Sequence, residues 1–521
     1  MDFNALICRF YHFKILLFSK YFIKKNTKNL QNICRNISLI INSYFSFSSV
    51  SLFLCLLILI LRHLTKIRII IVVLLILITL LQYHCSKQSN EVSFKDIVPI
   101  IHQKCTICHC KEGAGPFNLI TYSDIKKHAN KIRFSIISDF MPPWPADTSY
   151  TRFADELILT KSEKEKLLQW IENNCPAGDT LNVELPTTTL TTHFRKPDLI
   201  VPFSQPIYLQ GNGNDHFFIV KMPYHLDKDT FVQYVEFVPH QKKLVHHVNG
   251  HLLKYDERRK FNYDTGLTHV LEPVDNFVET YKKMGLTYLD AKDDNPKNLL
   301  PSLIPNTVYY LPGFLPLYYK NDIGGFYLPK NGVFFLNDIH YGPTHQSCVD
   351  SSYLRIYFAP HRPKRLVYEG QLGTHGMSKV IPPLVIPPNT IKTFTTSLLI
   401  PADISILAVN PHMHLLGESF WAFAITPSRD TIPLIRIKKW NFNWQYYYVF
   451  KHPVIVPKGS VIVAIGTYNN TTSNPFNPNY PPIEVKEGDG FHSMKTTDEM
   501  FQFFFQYMLY QPNDDTISLR K

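Results

Sequence analysis

Three stretches of this chain carry residues whose types and spacing can do chemistry. In Asn410-Pro411-His412-Met413-His414-Leu415-Leu416-Gly417 two histidines stand one residue apart inside an apolar run. On a strand, positions i and i+2 share a face, so both imidazoles can converge on one metal ion. An isolated His-x-His is more often a turn following a core strand, so the pair needs a third ligand from elsewhere. In Cys105-Thr106-Ile107-Cys108-His109 two thiols three positions apart can form thioethers to a porphyrin while the adjoining imidazole ligates its iron. A thioredoxin-like dithiol or half a zinc site shares this spacing, but neither a βαβ pattern nor a second CxxC accompanies it. Met141, in Met141-Pro142-Pro143-Trp144, is placed to be the sixth iron ligand: the prolines hold the chain extended, and a thioether favours reduced iron. The last group is His246-His247 in Lys243-Leu244-Val245-His246-His247-Val248, with His340 in Asn337-Asp338-Ile339-His340-Tyr341-Gly342. Neighbouring residues of a regular strand face opposite ways, so His246 and His247 can share an ion only where a bulge or twist intervenes.

The elements that must position these residues fall into two kinds. Around the CxxCH motif the pattern is helical. Phe94 to His102 leads in, Thr121 to Ser138 follows, and Thr160-Lys161-Ser162-Glu163 is a capping box opening a helix to about Asn174. This is the pattern of a small all-α cytochrome. Val92 to Asp147 resembles the cytochrome c modules that precede other domains in exported bacterial proteins, through the CxxCH, Gly115-Pro116-Phe117, Tyr122-Ser123-Asp124 and Met141-Pro142-Pro143-Trp144. Cys110 and Cys175 read either as a disulfide tying the haem loop to the last helix or as two free thiols. Residues 180 to 193 carry no periodicity and read as a linker.

Beyond the linker the pattern changes to short β-runs broken by Pro, Gly and Asn. They include Phe217 to Met222, Phe231 to Pro239, Val333 to Tyr341, Tyr353 to Ala359, Ser460 to Tyr468 and Phe501 to Leu509. Leu354, Ile356 and Phe358 alternate with Tyr353, Arg355 and Tyr357, as a half-buried strand requires. Many such strands without long helices imply two all-β sandwiches, with Pro360-His361-Arg362-Pro363-Lys364 as their joint.

Charge narrows the partners. The net charge of +12 is mostly local, because residues 1 to 85 hold ten Lys and Arg against Asp2 and leave +3 for the remainder. The folded part has no basic footprint for nucleic acid. Residues 37 to 61 are apolar enough to span a membrane, and a second apolar run, Ile69 to Leu81, follows Arg62, Lys66 and Arg68. Residues 1 to 63 read as a membrane segment or as sequence upstream of the true start, although no Met stands between Met1 and Met141. Either reading makes the remainder exported, to a periplasm or cell surface. It also leaves membrane association through the N-terminal segment, or through a lipid anchor on Cys85 despite His84 before it.

Residues 194 to 521 resemble the copper type II, ascorbate-dependent monooxygenases, the family of peptidylglycine α-hydroxylating and dopamine β-monooxygenases. The resemblance rests on Val245-His246-His247-Val248, Ile339-His340-Tyr341-Gly342, Pro411 to Gly417, Asn441-Phe442-Asn443-Trp444-Gln445, Asn474 to Pro478 and Asp498-Glu499-Met500, in that order. It implies two jelly-roll-like sandwiches, each holding one copper across a solvent-filled gap. His246, His247 and His340 take the electron-transfer ion, and His412, His414 and Met500 the oxygen-binding one. It implies an oxidoreductase acting on a small-molecule substrate and O2 with two copper ions and ascorbate as reductant; the haem c expected from the CxxCH motif would replace or relay that reductant as a redox partner to the first copper. A non-catalytic haem and copper electron carrier is the alternative. Where peptidylglycine enzymes hold a carboxylate with Arg, Asn and Tyr, this chain has Asn410, Gln502 and Phe504, which leaves no guanidinium for a bidentate pair. The expected organisation is residues 1–90 for export, 91–180 cytochrome c-like, 194–360 the first copper sandwich and 365–521 the second.

Overall fold

Reciprocal caps open two helices of the first module. Thr121 Oγ1 accepts from the Asp124 amide (3.0 Å) while the Asp124 carboxylate accepts from the Thr121 amide (3.1 Å), and Thr160 and Glu163 repeat the device. The computed structural model describes residues 92–520, apart from 112, 179–194, 273, 275, 314–316, 320–321 and 489–496, together with Leu74. The apolar segments at 1–90, Cys85 and the 180–193 linker lie outside the described residues. Helices α1 (Phe94–Lys104), α2 (Tyr122–Lys127), α3 (Ala129–Ile137) and α4 (Lys161–Glu172) bury Phe94, Ile97, Ile101, Ile125, Leu167 and Trp170 in a common core. The single helix expected over 121–138 is two, meeting at His128, whose backbone leaves the helical region (φ −104°, ψ 9°) and whose ring stacks on Phe117 at 3.9 Å. Cys110 and Cys175 are both buried and free, so the structure has the two thiols and not the disulfide.

The first sandwich follows the linker. Its strands are β1 (Leu199–Pro202), β2 (Ile207–Leu209), β3 (His216–His225), β4 (Thr230–Val238), β5 (Val245–Lys254), β6 (His269–Leu271), β7 (Ser302–Tyr310), β8 (Phe326–Leu328), β9 (Asn331–Tyr341), β10 (Cys348–Asp350) and β11 (Tyr353–Phe358). Sheets β1-β11-β4-β8 and β6-β3-β9-β5-β7 enclose Val220, Val248, Leu252, Phe334, Leu336, Leu354 and Ile356. The alternation expected along β11 holds for Leu354 and Ile356, then fails. A register shift between Tyr357 and Phe358 turns Tyr357 fully inward and leaves Phe358 half-buried.

The second sandwich comprises β12 (Tyr368–Gly373), β13 (Val385–Ile386), β14 (Thr390–Leu399), β15 (Ile404–Met413), β16 (Gly417–Ile425), β17 (Thr431–Ile437), β18 (Tyr448–Val456), β19 (Val461–Asn470), β20 (Val485–Lys486) and β21 (Phe501–Leu509). Its sheets are β12-β21-β15-β18 and β14-β19-β16-β17, antiparallel throughout. Strand β15 is central and buried along almost its whole length, so its two faces serve the core and the site.

The stretch from Trp144 to Glu156, which the sequence groups with the helical module, packs on the second sandwich instead. Ala146 and Phe153 enter that core, bridging Ile437 and Phe450, and Trp144 stacks on Tyr446 at 5.8 Å. Asp147 pairs with Arg436 (2.7 Å) and Lys438 (2.9 Å). Among the described residues no helix is long and apolar enough to cross a membrane.

Candidate metal centres

A bulge resolves the problem of two adjacent histidines. The pairing of β5 with β9 shifts register between Val245 and His247, and His247 then lies opposite His340. His246 is thereby turned to the side of its neighbour, and the two Nδ1 atoms approach to 3.3 Å. One ring nitrogen from each of His246, His247 and His340 falls within a 4.8 Å set. The outer nitrogens are taken: His247 Nε2 meets Asp338 Oδ2 at 2.7 Å, and His340 Nε2 meets Asp215 Oδ1 at 2.7 Å. His340 Nδ1 is buried without a protein partner, and its ring is fixed by stacking on Phe217 at 4.2 Å. A carboxylate behind an imidazole whose other nitrogen is free is how proteins orient histidine toward a metal. Burial, with His247 and His340 alongside, pushes the His246 pKa down to about 3, and burial lowers His340. Both are neutral, which is the ligating form.

The second set is built on β15. His412 lies on the strand and His414 just past its end, with ring centroids 5.1 Å apart at 89°. Met413 between them points into the core and is wholly buried. The Nδ1 atoms are again engaged, His412 with Gln445 Oε1 and His414 with the Asp498 carbonyl (2.9 Å), which leaves both Nε2 atoms for a ligand. Burial pushes the His412 pKa down to about 3 and lowers that of His414. Met500 is brought alongside because β21 pairs with β15, Met413 opposite Phe501. Glu499 locks this junction, its carboxylate accepting from the amides of His414 (2.9 Å), Leu416 (2.7 Å) and Met500 (3.3 Å).

One cavity of about 360 Å³ is reached by His247 of the first set and by all three residues of the second: its wall includes His247, His251 and Asp338 from the first sandwich and His412, His414 and Met500 from the second. Phe442 stands between them, its ring centroid 6.5 Å from His247 and 5.8 Å from His414. Asn410, Gln502 and Phe504 also line it. The Asn410 amide is spent on the carbonyls of Gln445 (3.1 Å) and Tyr446 (2.8 Å), and that of Gln502 on the Thr374 carbonyl (2.9 Å). No Lys or Arg is among the described residues of the wall.

The CxxCH motif turns off the end of α1. His109 Nδ1 meets the Phe117 carbonyl at 2.9 Å, which leaves Nε2 for iron, and Cys105 and Cys108 are both free. The loop returning over the motif must approach closely: a Cβ on Gly113 would lie 2.0 Å from the Cys108 carbonyl oxygen, and one on Gly115 2.8 Å from His109 Nδ1. Two unbonded thiols beside an imidazole anchored at Nδ1 suit covalent haem. Met141 is half-buried after α3, its amide donating to the Ser135 carbonyl (3.2 Å).

Sequence reasoning missed the residues behind the ligands. Asp338 carried a signal, since it stands two positions before His340 on one strand face. Gln445 and Glu499 stood within the motifs Asn441 to Gln445 and Asp498 to Met500 without a role, and Asp215, far in sequence from His340, carried no signal.

A search of curated proteins finds no match. Among solved structures, the infectious bursal disease virus Gx strain aligns at 8% identity over 60% of this chain and 73% of its own, with a TM-score of 0.16. The VP2 subviral particle of the same virus aligns at 8% identity over 63% and 75%, with a TM-score of 0.15. Likeness at that level carries no argument about fold or function. The informative match is to a family model, and it spans the strands around His412 and His414: residues 372–480 match the copper type II ascorbate-dependent monooxygenase C-terminal domain.

Proposed function

We propose that the chain is an exported monooxygenase that inserts one atom of O2 into a C–H bond of a small substrate, with electrons relayed through a haem c. The observation that carries this reading is a cluster of three imidazoles, one of which, His247, lines the same cavity as His412, His414 and Met500, so that the first set offers imidazole nitrogens alone and the second two imidazoles and a thioether. Copper bound there supplies one-electron exchange at the first set and oxygen activation at the second, where the thioether favours the reduced ion.

The protein's part is to hold and to exclude. Asp338 and Asp215 fix the first imidazoles, while Gln445, Asp498 and Glu499 fix the second. Phe442 lines the cavity between the sets, its ring set edgewise against His247 and His414. With Asn410 in place of an Arg, and no Lys or Arg among the described wall residues, a substrate carboxylate finds no bidentate partner there, which argues against peptide α-amidation.

The haem part of the reading draws support from packing. Gly313, in the loop after β7, lies so close to Cys108 that a Cβ there would be 2.6 Å from its Sγ. Tyr310, at the end of β7, pairs with Val248 beside His247. The motif that would carry haem therefore abuts the loop after β7, the strand next to ligand-bearing β5. Cys105 and Cys108 would bind the porphyrin, with His109 and Met141 on the iron.

Copper content tests the assignment. The intact chain should bind two ions, with His246→Ala and His412→Ala each losing one at separate sites. Met500→Ala should abolish hydroxylated product while leaving the haem spectrum unchanged, and retained product would refute the ligand set. If rapid mixing of reduced protein with oxygen leaves the haem reduced while both coppers oxidise and turn over, the relay is wrong.

A further inference from the structure

Hydroxylation consumes protons as well as electrons: RH + O2 + 2 e⁻ + 2 H⁺ gives ROH + H2O. A haem relay supplies electrons alone, so on the monooxygenase reading, on which this inference rests, the cavity needs its own source of protons. We propose that Glu369 is that source, passing protons through the Tyr447 hydroxyl into the cavity between the sandwiches.

Glu369 lies on β12 opposite Gln506 of β21, one residue behind the cavity wall. Its carboxylate touches two residues of that wall, Asn306 from β7 of the first sandwich and Tyr447 from the second, whose hydroxyl donates to Oε2 at 2.9 Å. Gln506 Nε2 is the third donor, at 3.4 Å, and its own Oε1 accepts from Tyr319 (2.7 Å). The groups that face the carboxyl are therefore one amide from β7, one phenol from the segment before β18 and one amide from β21. Tyr319 stands beyond Gln506, with Arg520 near it. No cation pairs with Glu369 among the described residues.

A carboxyl wedged between two protein layers without a cation gains little from ionising. The protein atoms packed around it push its pKa up to about 7, although the residue keeps some accessible surface by which protons can be replenished. Among the other titratable wall groups, Glu272 and His375 make no hydrogen bond to the Glu369–Tyr447 pair, and two more are committed elsewhere. His251 is neutral, its Nδ1 accepting from the Asn306 amide (3.0 Å), and Asp338 is engaged by His247. Tyr447 is buried and its pKa lies far above neutrality, so it transfers a proton only when its hydroxyl turns from Glu369 Oε2 toward the cavity, accepting from the protonated Glu369 carboxyl as it releases its own. One proton passes per hop and Glu369 is reprotonated from solvent, so two hops balance each turnover. Glu369 is a proton-supply residue that acts through Tyr447 and does not touch the substrate.

The test needs no substrate. Infrared titration of the full-length, metal-free protein should show a protonated-carboxyl band lost with a midpoint near pH 7, absent from Glu369→Gln. Copper-loaded protein, reduced and mixed with O2 alone, should form peroxide by O2 + 2 e⁻ + 2 H⁺ at a rate that falls as pH rises through the same midpoint. Glu369→Gln and Tyr447→Phe should each slow peroxide formation at least about tenfold and erase the pH step with copper content unchanged. A wild-type protein that does not reduce O2 at all overturns the monooxygenase reading and this proposal with it. Normal oxygen reduction whose pH step survives in both variants, or a protonated-carboxyl component titrating near pH 7 that is undiminished in Glu369→Gln beside the separate Glu499 component near pH 8, overturns the proposal alone.

Discussion

Asp338 and Asp215 show how much of a metal site lies behind its ligands. Each accepts the outer N–H of one imidazole at 2.7 Å and so fixes which nitrogen faces the ion. Such partners are typically worth about 10- to 100-fold in metal affinity. Asp338→Asn should therefore weaken copper at the first set by about that factor and leave the second unchanged, as read by competition with a chelator. His251 makes a separate point at this scale. Burial pushes its pKa down to about 4, below the ordinary histidine value of 6.5. Above pH 6.5 the folded and unfolded chains bind the same protons there. Between 6.5 and about 4 only the unfolded chain takes one up, so stability falls as pH falls and levels off below about 4. The loss reaches roughly 3 kcal/mol. Urea titrations of metal-free protein across this range should show it, and His251→Gln should reduce the slope.

At the scale of elements, the sites depend on irregularities in otherwise regular strands. The β5 bulge turns His246 and His247 toward one point, and a uniform strand would present one imidazole to each face. The turn after β12 performs a similar service for Met500. Gly373 adopts φ +85°, and a Cβ there would lie 1.9 Å from the Phe501 carbonyl oxygen, so the strand pair leading to the thioether closes only around glycine. Gly373→Ala should cost on the order of 2 to 4 kcal/mol. It should also reduce copper at the second set while sparing the first, as a Gly373→Ala copper count beside its melting curve would show. Glu499 ties the same junction from the other side. Burial pushes its pKa up to about 8 against the pull of three amides. Removing it in Glu499→Ala strands those buried donors, at a cost of about 1 to 3 kcal/mol each.

Across the whole molecule, the strap from Trp144 to Glu156 joins the helical module to the second sandwich through a fully buried Phe153 and through Asp147 between Arg436 and Lys438. Phe153→Ala should cost about 3 to 5 kcal/mol of the sandwich's stability. Urea denaturation followed by tryptophan fluorescence checks this, since Trp144 stacks on Tyr446 and should report the loss early. The cavity is likewise a property of the assembled pair of sandwiches, because each contributes half of its wall. Anything that separates them should lose the shared cavity without emptying either ligand set.

Legible in the sequence by itself were the helical pattern around the CxxCH motif and the β-rich remainder, which are written in short-range periodicity, capping and spacing and need no long-range contact to be read. The ligand candidates came from a family resemblance carried by separated motifs. The sequence could not decide whether His246 and His247 share a face, because that turns on a register shift between β5 and β9, strands that lie about 90 residues apart. Nor could it place Asp215, Gln445, Glu499 or Glu369 behind the cavity, or assign Trp144 to Glu156 to the second sandwich. Those positions come from packing between segments distant in the chain. Only the tertiary structure brings a carboxylate to one side of an imidazole and a cavity to the other.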